Sequence, residues 1–248
     1  TSIFGIATNV HGDSCTIGYS TGTSTVGNQT YTLRANETAI HMQRINSTGG
    51  QVWFDKVVTR SASAYGVSID DGGACSFAAT VYSYYERANG SRVELNTTLG
   101  SFFTRYRANG INPVFVTSEG TTTFDLSCNT DSGGGSSSSS LSSGETRCYT
   151  TGYFDREIIA GGATYQHSNS TVQYFVAEYD GDGNFLGLLL PSNNSNISQQ
   201  QSQSEGESLT FRNGNLWVTG LFYSSNFTVG TSTLTSLASV NMFVIRYE

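Results

Sequence analysis

Gln173–Leu190 reads QYFVAEYDGDGNFLGLLL. Its centre, Asp180-Gly-Asp-Gly-Asn184, places oxygen-bearing side chains at alternate positions, as a calcium loop does. Yet it lies between two apolar stretches of strand length. A metal motif and a hairpin turn predict different folds, and recurrence elsewhere in the chain separates them. The same place holds Asn46-Ser-Thr-Gly-Gly50 earlier in the sequence and Arg107-Ala-Asn-Gly110 after that, neither with a comparable acidic pair. An EF-type loop also needs a bidentate Glu at its twelfth position and helices on both sides; the twelfth residue here is Pro191. The stretch therefore reads as a turn, and no metal or other cofactor is expected.

Working outward, four segments follow one plan. A first strand is predicted at Ile3–Thr8, Ala64–Ile69, Thr122–Ser127 and Ser208–Phe211, and a second at Cys15–Tyr19, Cys75–Ala79, Cys148–Tyr153 and Leu216–Leu221. A variable stretch follows. A third strand is expected at Ile40–Ile45, Phe102–Tyr106, Tyr174–Tyr179 and Met242–Tyr247. In three segments a Gly-bearing turn leads to a fourth, at Gln51–Phe54, Asn112–Val116 and Phe185–Leu189. No segment sustains a 3.6-residue apolar period. The expectation is all-β: a β-propeller-like array of four antiparallel four-stranded blades in a single domain over 1–248. Its repeats fall near 1–61, 62–119, 120–192 and 193–248. After Tyr247 no fourth strand follows, so the last blade is expected to lack its outer strand, leaving an apolar edge that a neighbouring molecule or a longer chain would cover.

Trp217-Val-Thr-Gly-Leu-Phe222 with Val240–Tyr247, and Tyr149-Thr-Thr-Gly-Tyr-Phe154 with Tyr174–Asn184, resemble the SBBP-type β-propeller repeat. In the first two repeats only strand positions and Gly turns carry the likeness. The resemblance implies blades in a secreted or surface protein and implies no chemistry.

Only 12% of residues are charged while Ser, Thr, Asn and Gly abound, and fourteen Tyr and fourteen Phe favour pleated surfaces over helices. A net charge of −7 argues against nucleic acid as a partner, and no apolar run reaches the length of a membrane span. The first residue, Thr1, is not Met, which suits a mature product or an excerpt of a longer chain. Sequons begin at Asn28, Asn36, Asn46, Asn89, Asn96, Asn169, Asn193, Asn196 and Asn226. With four cysteines they point to an extracellular, N-glycosylated protein.

Low-complexity stretches at 131–144 and 193–204 read as flexible insertions within the array. Cys128 and Cys148 flank the first and are expected to form a disulfide at its base. Cys15 and Cys75 hold equivalent places in neighbouring repeats, and either pair with each other or bond another molecule. His11, His41 and His167 lack ligand spacing, and no Cys-x-x-Cys occurs, so zinc is not expected.

Asp70-Asp71 reads as a turn, Asp155 and Glu157 have no partner in other repeats, and Gly-x-Ser-x-Gly is absent. The expected function is therefore non-catalytic: a structural or adhesive subunit that self-associates into a fibre through strand edges. The alternative is a lectin-type propeller binding carbohydrate or protein, with Tyr82, Tyr84, Tyr85, Trp53 or Trp217 stacking on sugar rings. A glycoside-acting enzyme comes third.

Overall fold

The computed structural model describes residues 2–110, 113–130, 145–166, 172–191, 203–212, 214–230 and 232–247. Among them the chain is all-β, with antiparallel sheets and no helix. No helix is long and apolar enough to cross a membrane.

Unit one contains β1 (Ser2–Thr8), β2 (Ser14–Thr21), β3 (Thr23–Val26), β4 (Gln29–Thr32), β5 (Thr38–Ile45) and β6 (Gln51–Thr59). Unit two contains β7 (Ala62–Ile69), β8 (Cys75–Arg87), β9 (Arg92–Tyr106) and the start of β10 (Val114–Thr130). Unit three continues from the end of β10 through β11 (Thr146–Ala160), β12 (Ala163–Gln166), β13 (Val172–Asp180) and β14 (Phe185–Leu189). Unit four is β15 (Ser204–Arg212), β16 (Asn215–Phe222), β17 (Asn226–Val229), β18 (Ser232–Thr235) and β19 (Asn241–Tyr247).

The main strands pair as meanders: β1-β2-β5-β6, β7-β8-β9-β10, β10-β11-β13-β14 and β15-β16-β19. The variable stretch between second and third strands folds back as a hairpin in every unit: β3–β4, the outer halves of β8 and β9, the outer half of β11 with β12, and β17–β18. The expected flexible insertion at 131–144 lies outside the described residues. Most of the one expected at 193–204 also lies outside the described residues, and its last residue, Ser204, begins β15 and is fully buried.

The first three units share one hydrogen-bonded sheet. The end of β6 pairs with the outer half of β8. No turn separates the fourth strand of unit two from the first strand of unit three, and β10 runs through both roles. It bends at Gly120, where φ is +74° and the register with β11 shifts. A side chain at Gly120 would strike the Glu157 carbonyl, so glycine lets the strand kink without ending.

The tight turns share a geometry as well. In Asn9–Asp13, Asn46–Gly50, Asp70–Ala74 and Asp180–Asn184 the first backbone N–H donates to the fifth carbonyl, and the fourth N–H donates to the first carbonyl. The fourth residue is always Gly with φ near +80°. The side-chain oxygen of the opening Asn or Asp accepts the fifth N–H. Asx side chains and a left-handed Gly are the local chemistry that closes such hairpins.

Three apolar cores hold the array, one at each joint. Ile17, Ile40 and Met42 of unit one meet Phe77, Phe102 and Tyr106 of unit two. Ala78 and Phe103 meet Leu126, Phe175 and Tyr179 of unit three. Tyr149, Tyr174 and Val176 then meet Val218, Phe222 and Phe243 of unit four. Inner strands such as β8, β9 and β13 thus feed one joint with alternate residues and the next joint with the residues between them. Cys75–Val81 is buried on both faces, which is why it reads as a continuous apolar and small-residue run.

Candidate functional site

The joints are built from a pair of adjacent residues at the end of the third strand. Arg105 in β9 donates from Nη2 to Asp70 Oδ2 at 2.5 Å and from Nη1 to Ser76 Oγ at 2.9 Å, both in its own unit. Its Nε reaches the Gly181 carbonyl of unit three at 2.8 Å. Arg44, one unit earlier, repeats the pattern. It donates to Asp13 Oδ2 at 2.6 Å within unit one and to the Ala108 carbonyl of unit two at 2.5 Å. In both cases the aspartate sits in the turn before the second strand and the carbonyl in the next unit's turn after its third strand. The hydrogen bond and charge of Arg44 hold the Asp13 carboxyl below the usual carboxylate range.

Strand alternation sends the following residue the other way. Tyr106 Oη donates to Asp55 Oδ2 of unit one at 2.7 Å, and burial with that neighbouring carboxylate pushes its pKa far up. Tyr179 stacks on Phe103 of unit two with centroids 4.1 Å apart. Tyr247 shares a 2.6 Å hydrogen bond with Tyr174 of unit three. Unit three departs from the pattern at the first position, where Glu178 accepts from Arg147 and from Tyr149.

Unit four presents a different surface. In β19 and β16 only alternate residues are buried: Leu216, Val218, Phe222 and Phe243 face unit three, and the other face points outward. Met242 is 76% exposed, Val244 61% and Trp217 43%, with Arg246 across from Trp217 and donating to Asn215 at 2.9 Å. The same positions in unit two, Ser101, Phe103 and Arg105, are buried under unit three. At the opposite end, Ile3 and Ile6 of β1 are 63% and 67% exposed and stand across from Gly18 and Thr16. The β3–β4 hairpin folds over part of unit one, and its Tyr31 bonds Ser20, stacks on Phe54 and lies under Lys56.

The sequence-predicted residues divide sharply. Trp53 is packed between Phe77 and Tyr106, Tyr85 is buried and bonded to Thr117, and Tyr84 lies under Arg92; Tyr82 and Trp217 are exposed. The sequons at Asn28, Asn36, Asn46, Asn89, Asn96 and Asn226 are exposed; Asn169, Asn193 and Asn196 lie outside the described residues. Cys128 is bonded to Cys148 directly opposite in β11, and Cys15 to Cys75 across the first joint. Asp180, the residue that suggested a calcium loop, has both oxygens engaged: Oδ1 accepts the N–H of Asp182 and of Asn184, and Oδ2 accepts from the Asn184 side chain. Burial opposes its ionisation, yet these bonds win and keep its pKa low. Asp70 belongs to the Arg105 joint, and Glu157 accepts from Gln166. His41 is buried in unit one and His11 is exposed, while His167 lies outside the described residues. The Arg-to-carbonyl joints were the part sequence reading passed over. Their signal was an Arg at the same third-strand position in three of four repeats.

Compared with known proteins, the chain matches no protein-family model and no curated sequence.

Proposed function

We propose that the protein is a non-catalytic, N-glycosylated extracellular subunit, structural or adhesive in role, that self-associates through its two end faces. Its units act as propeller-type blades. The reading rests on one observation: a sheet face that is buried at every internal joint is exposed and apolar on unit four, through Met242, Val244 and Trp217. The occupant is a second copy. Its first unit carries further exposed apolar residues, Ile3 and Ile6, on the face that would meet unit four if the internal order of joints were repeated. Such a contact is heterologous, so it propagates into a fibre unless it closes a ring.

Further support comes from the compartment. Two disulfides suit an oxidising environment, and six sequons sit on exposed residues. The blade reading draws on the stacking of successive units, with the first strand of each against the unit before it, and on the likeness of Tyr149–Phe154 and Trp217–Phe222 to SBBP-type repeats.

Sedimentation velocity over a range of concentrations tests the assembly. The expected result is association that strengthens with concentration and is abolished by Val244→Glu, with the fold retained by circular dichroism. A single monomeric species at every concentration overturns it, as does association unaffected by Val244→Glu.

A further inference from the structure

At one edge of the first joint the surface opens into a cleft of about 840 Å³ that the assembly reading does not use. It is lined by the β4–β5 connection, the β6–β7 turn, the middle of β8 and Thr98 of β9, and includes Arg34, Asn36, Glu37, Arg60 and Tyr82. We infer that this cleft binds an anionic saccharide, its sugar ring lying on Tyr82 and its carboxylate or sulfate held between Arg34 and Arg60.

Three features show that the cleft is built and not incidental. First, the register between β8 and β9 shifts between Tyr82 and Tyr84, and Ser83 there stands at φ +69°, a conformation that residues other than glycine rarely take. At this shift Tyr82 stands outward, 41% exposed, while Tyr85, three residues on, is buried. Asn36, on the facing loop, is likewise left-handed at φ +68°. Strained residues persist where the surroundings over-determine them.

Second, those surroundings are visible. Thr59 is fully buried, and its hydroxyl approaches three carbonyls: Tyr84 at 2.6 Å, and Ser61 and Tyr82 at 3.3 Å. The Tyr82 N–H donates back to the Ser61 carbonyl at 3.1 Å. One buried side chain thus links the register shift in β8 to the turn that carries Arg60. On the other wall the Arg34 N–H donates to the Glu37 carboxylate at 2.9 Å and Glu37 N–H returns to the Arg34 carbonyl, which closes the loop under Arg34.

Third, the charges are unspent. In a chain of net charge −7, Arg34 and Arg60 are exposed and form no ion pair among the described residues. Arginine forks suit carboxylate and sulfate oxygens. Tyr82, with no ring partner among the described residues, supplies an apolar platform, and the rim hydroxyls of Thr21, Ser61, Ser83 and Thr98 suit sugar hydroxyls. A neutral sugar would leave both guanidiniums unanswered.

Asn36 opens a sequon within the cleft, so the test uses protein made in a bacterial periplasm, where the disulfides form and Asn36 stays unmodified. Titration calorimetry at low salt compares a hyaluronan hexasaccharide, which carries carboxylates only, a chondroitin sulfate hexasaccharide, which carries both anions, and neutral maltohexaose. Either anionic probe should bind at least about tenfold more tightly than maltohexaose, and the preferred one identifies the anion. Tyr82→Ala and the double change Arg34→Gln with Arg60→Gln should each weaken binding by about tenfold or more. Arg212→Gln, on exposed β15, should leave it unchanged, and melting curves should confirm that every variant folds. Equal affinity for maltohexaose, no binding of either anionic probe, or a drop with Arg212→Gln equal to that of the cleft variants overturns the site.

Discussion

Arg105 and Tyr106 are neighbours in the chain that grip opposite neighbours in space: the guanidinium bonds the Gly181 carbonyl of unit three, and the phenol bonds the Asp55 carboxylate of unit one. Two consecutive residues in an extended strand necessarily point to opposite faces. In a stack of sheets that geometry makes a dipeptide a staple for two joints at once.

The Arg105–Asp70 pair is buried, with side chains 8% and 9% exposed. Arg105→Met leaves Asp70 a buried charge without its partner and should cost about 3–5 kcal/mol, read by urea denaturation with the disulfides intact. Asp70→Asn, which keeps the turn-closing oxygen, should be less damaging. Adding it to Arg105→Met should recover part of the loss.

Phe243 and Val244 separate folding from assembly. Phe243→Ala opens the core against Tyr174 and Phe227 and should lower stability by about 3–5 kcal/mol. Val244→Ala, one residue on and facing outward, should change monomer stability by no more than about 0.5 kcal/mol. If the two variants melt alike, the assigned face of β19 is wrong.

Acid should weaken the fold in two stages. Burial holds the His41 imidazole below its ordinary value, so the unfolded chain takes up a proton more readily. The stability tied to His41 is complete above about pH 6.5 and declines as pH falls towards its depressed folded value. Asp13 is also depressed, so its contribution is present above the ordinary carboxylate range and is lost as pH drops through the folded pKa. Denaturation midpoints measured from pH 8 to 3 should show both stages. His41→Leu should flatten the first and leave the second.

Cys15–Cys75 spans 60 residues and Cys128–Cys148 spans 20. On the chain-entropy account, replacing the first pair by Ala should cost about 4 kcal/mol and the second about 3 kcal/mol. Equal melting of the two double variants would speak against that ordering.

Much of this architecture was legible from local chemistry. Apolar strand runs and the Asn- or Asp-led turns ending in Gly mark the meanders, because those residues determine their own backbone geometry. What escaped reading was non-local. Continuity of β10 depends on Gly120 kinking at the expected repeat boundary, since a side chain there would meet Glu157 from another strand. Nothing in the run Val81-Tyr-Ser-Tyr-Tyr85 signals the register shift at Ser83, where the Thr59 hydroxyl, brought near only by the folded chain, bonds the Tyr84 carbonyl. The cleft inherits that invisibility, for Arg34, Arg60 and Tyr82 are far apart in sequence and share no spacing. Arg44, Arg105 and Arg246 did repeat in register, but a surface arginine and a joint arginine look the same until the next unit's carbonyl is in place.

The two disulfides are distributed unequally. Cys15–Cys75 bridges units one and two, whereas Cys128–Cys148 lies inside unit three. A pull applied between the first strand and the last is therefore borne by a covalent bond at the first joint, but past it only packing and hydrogen bonds resist. Under tension the first pair of units behaves as one block, and separation begins at the joints beyond it.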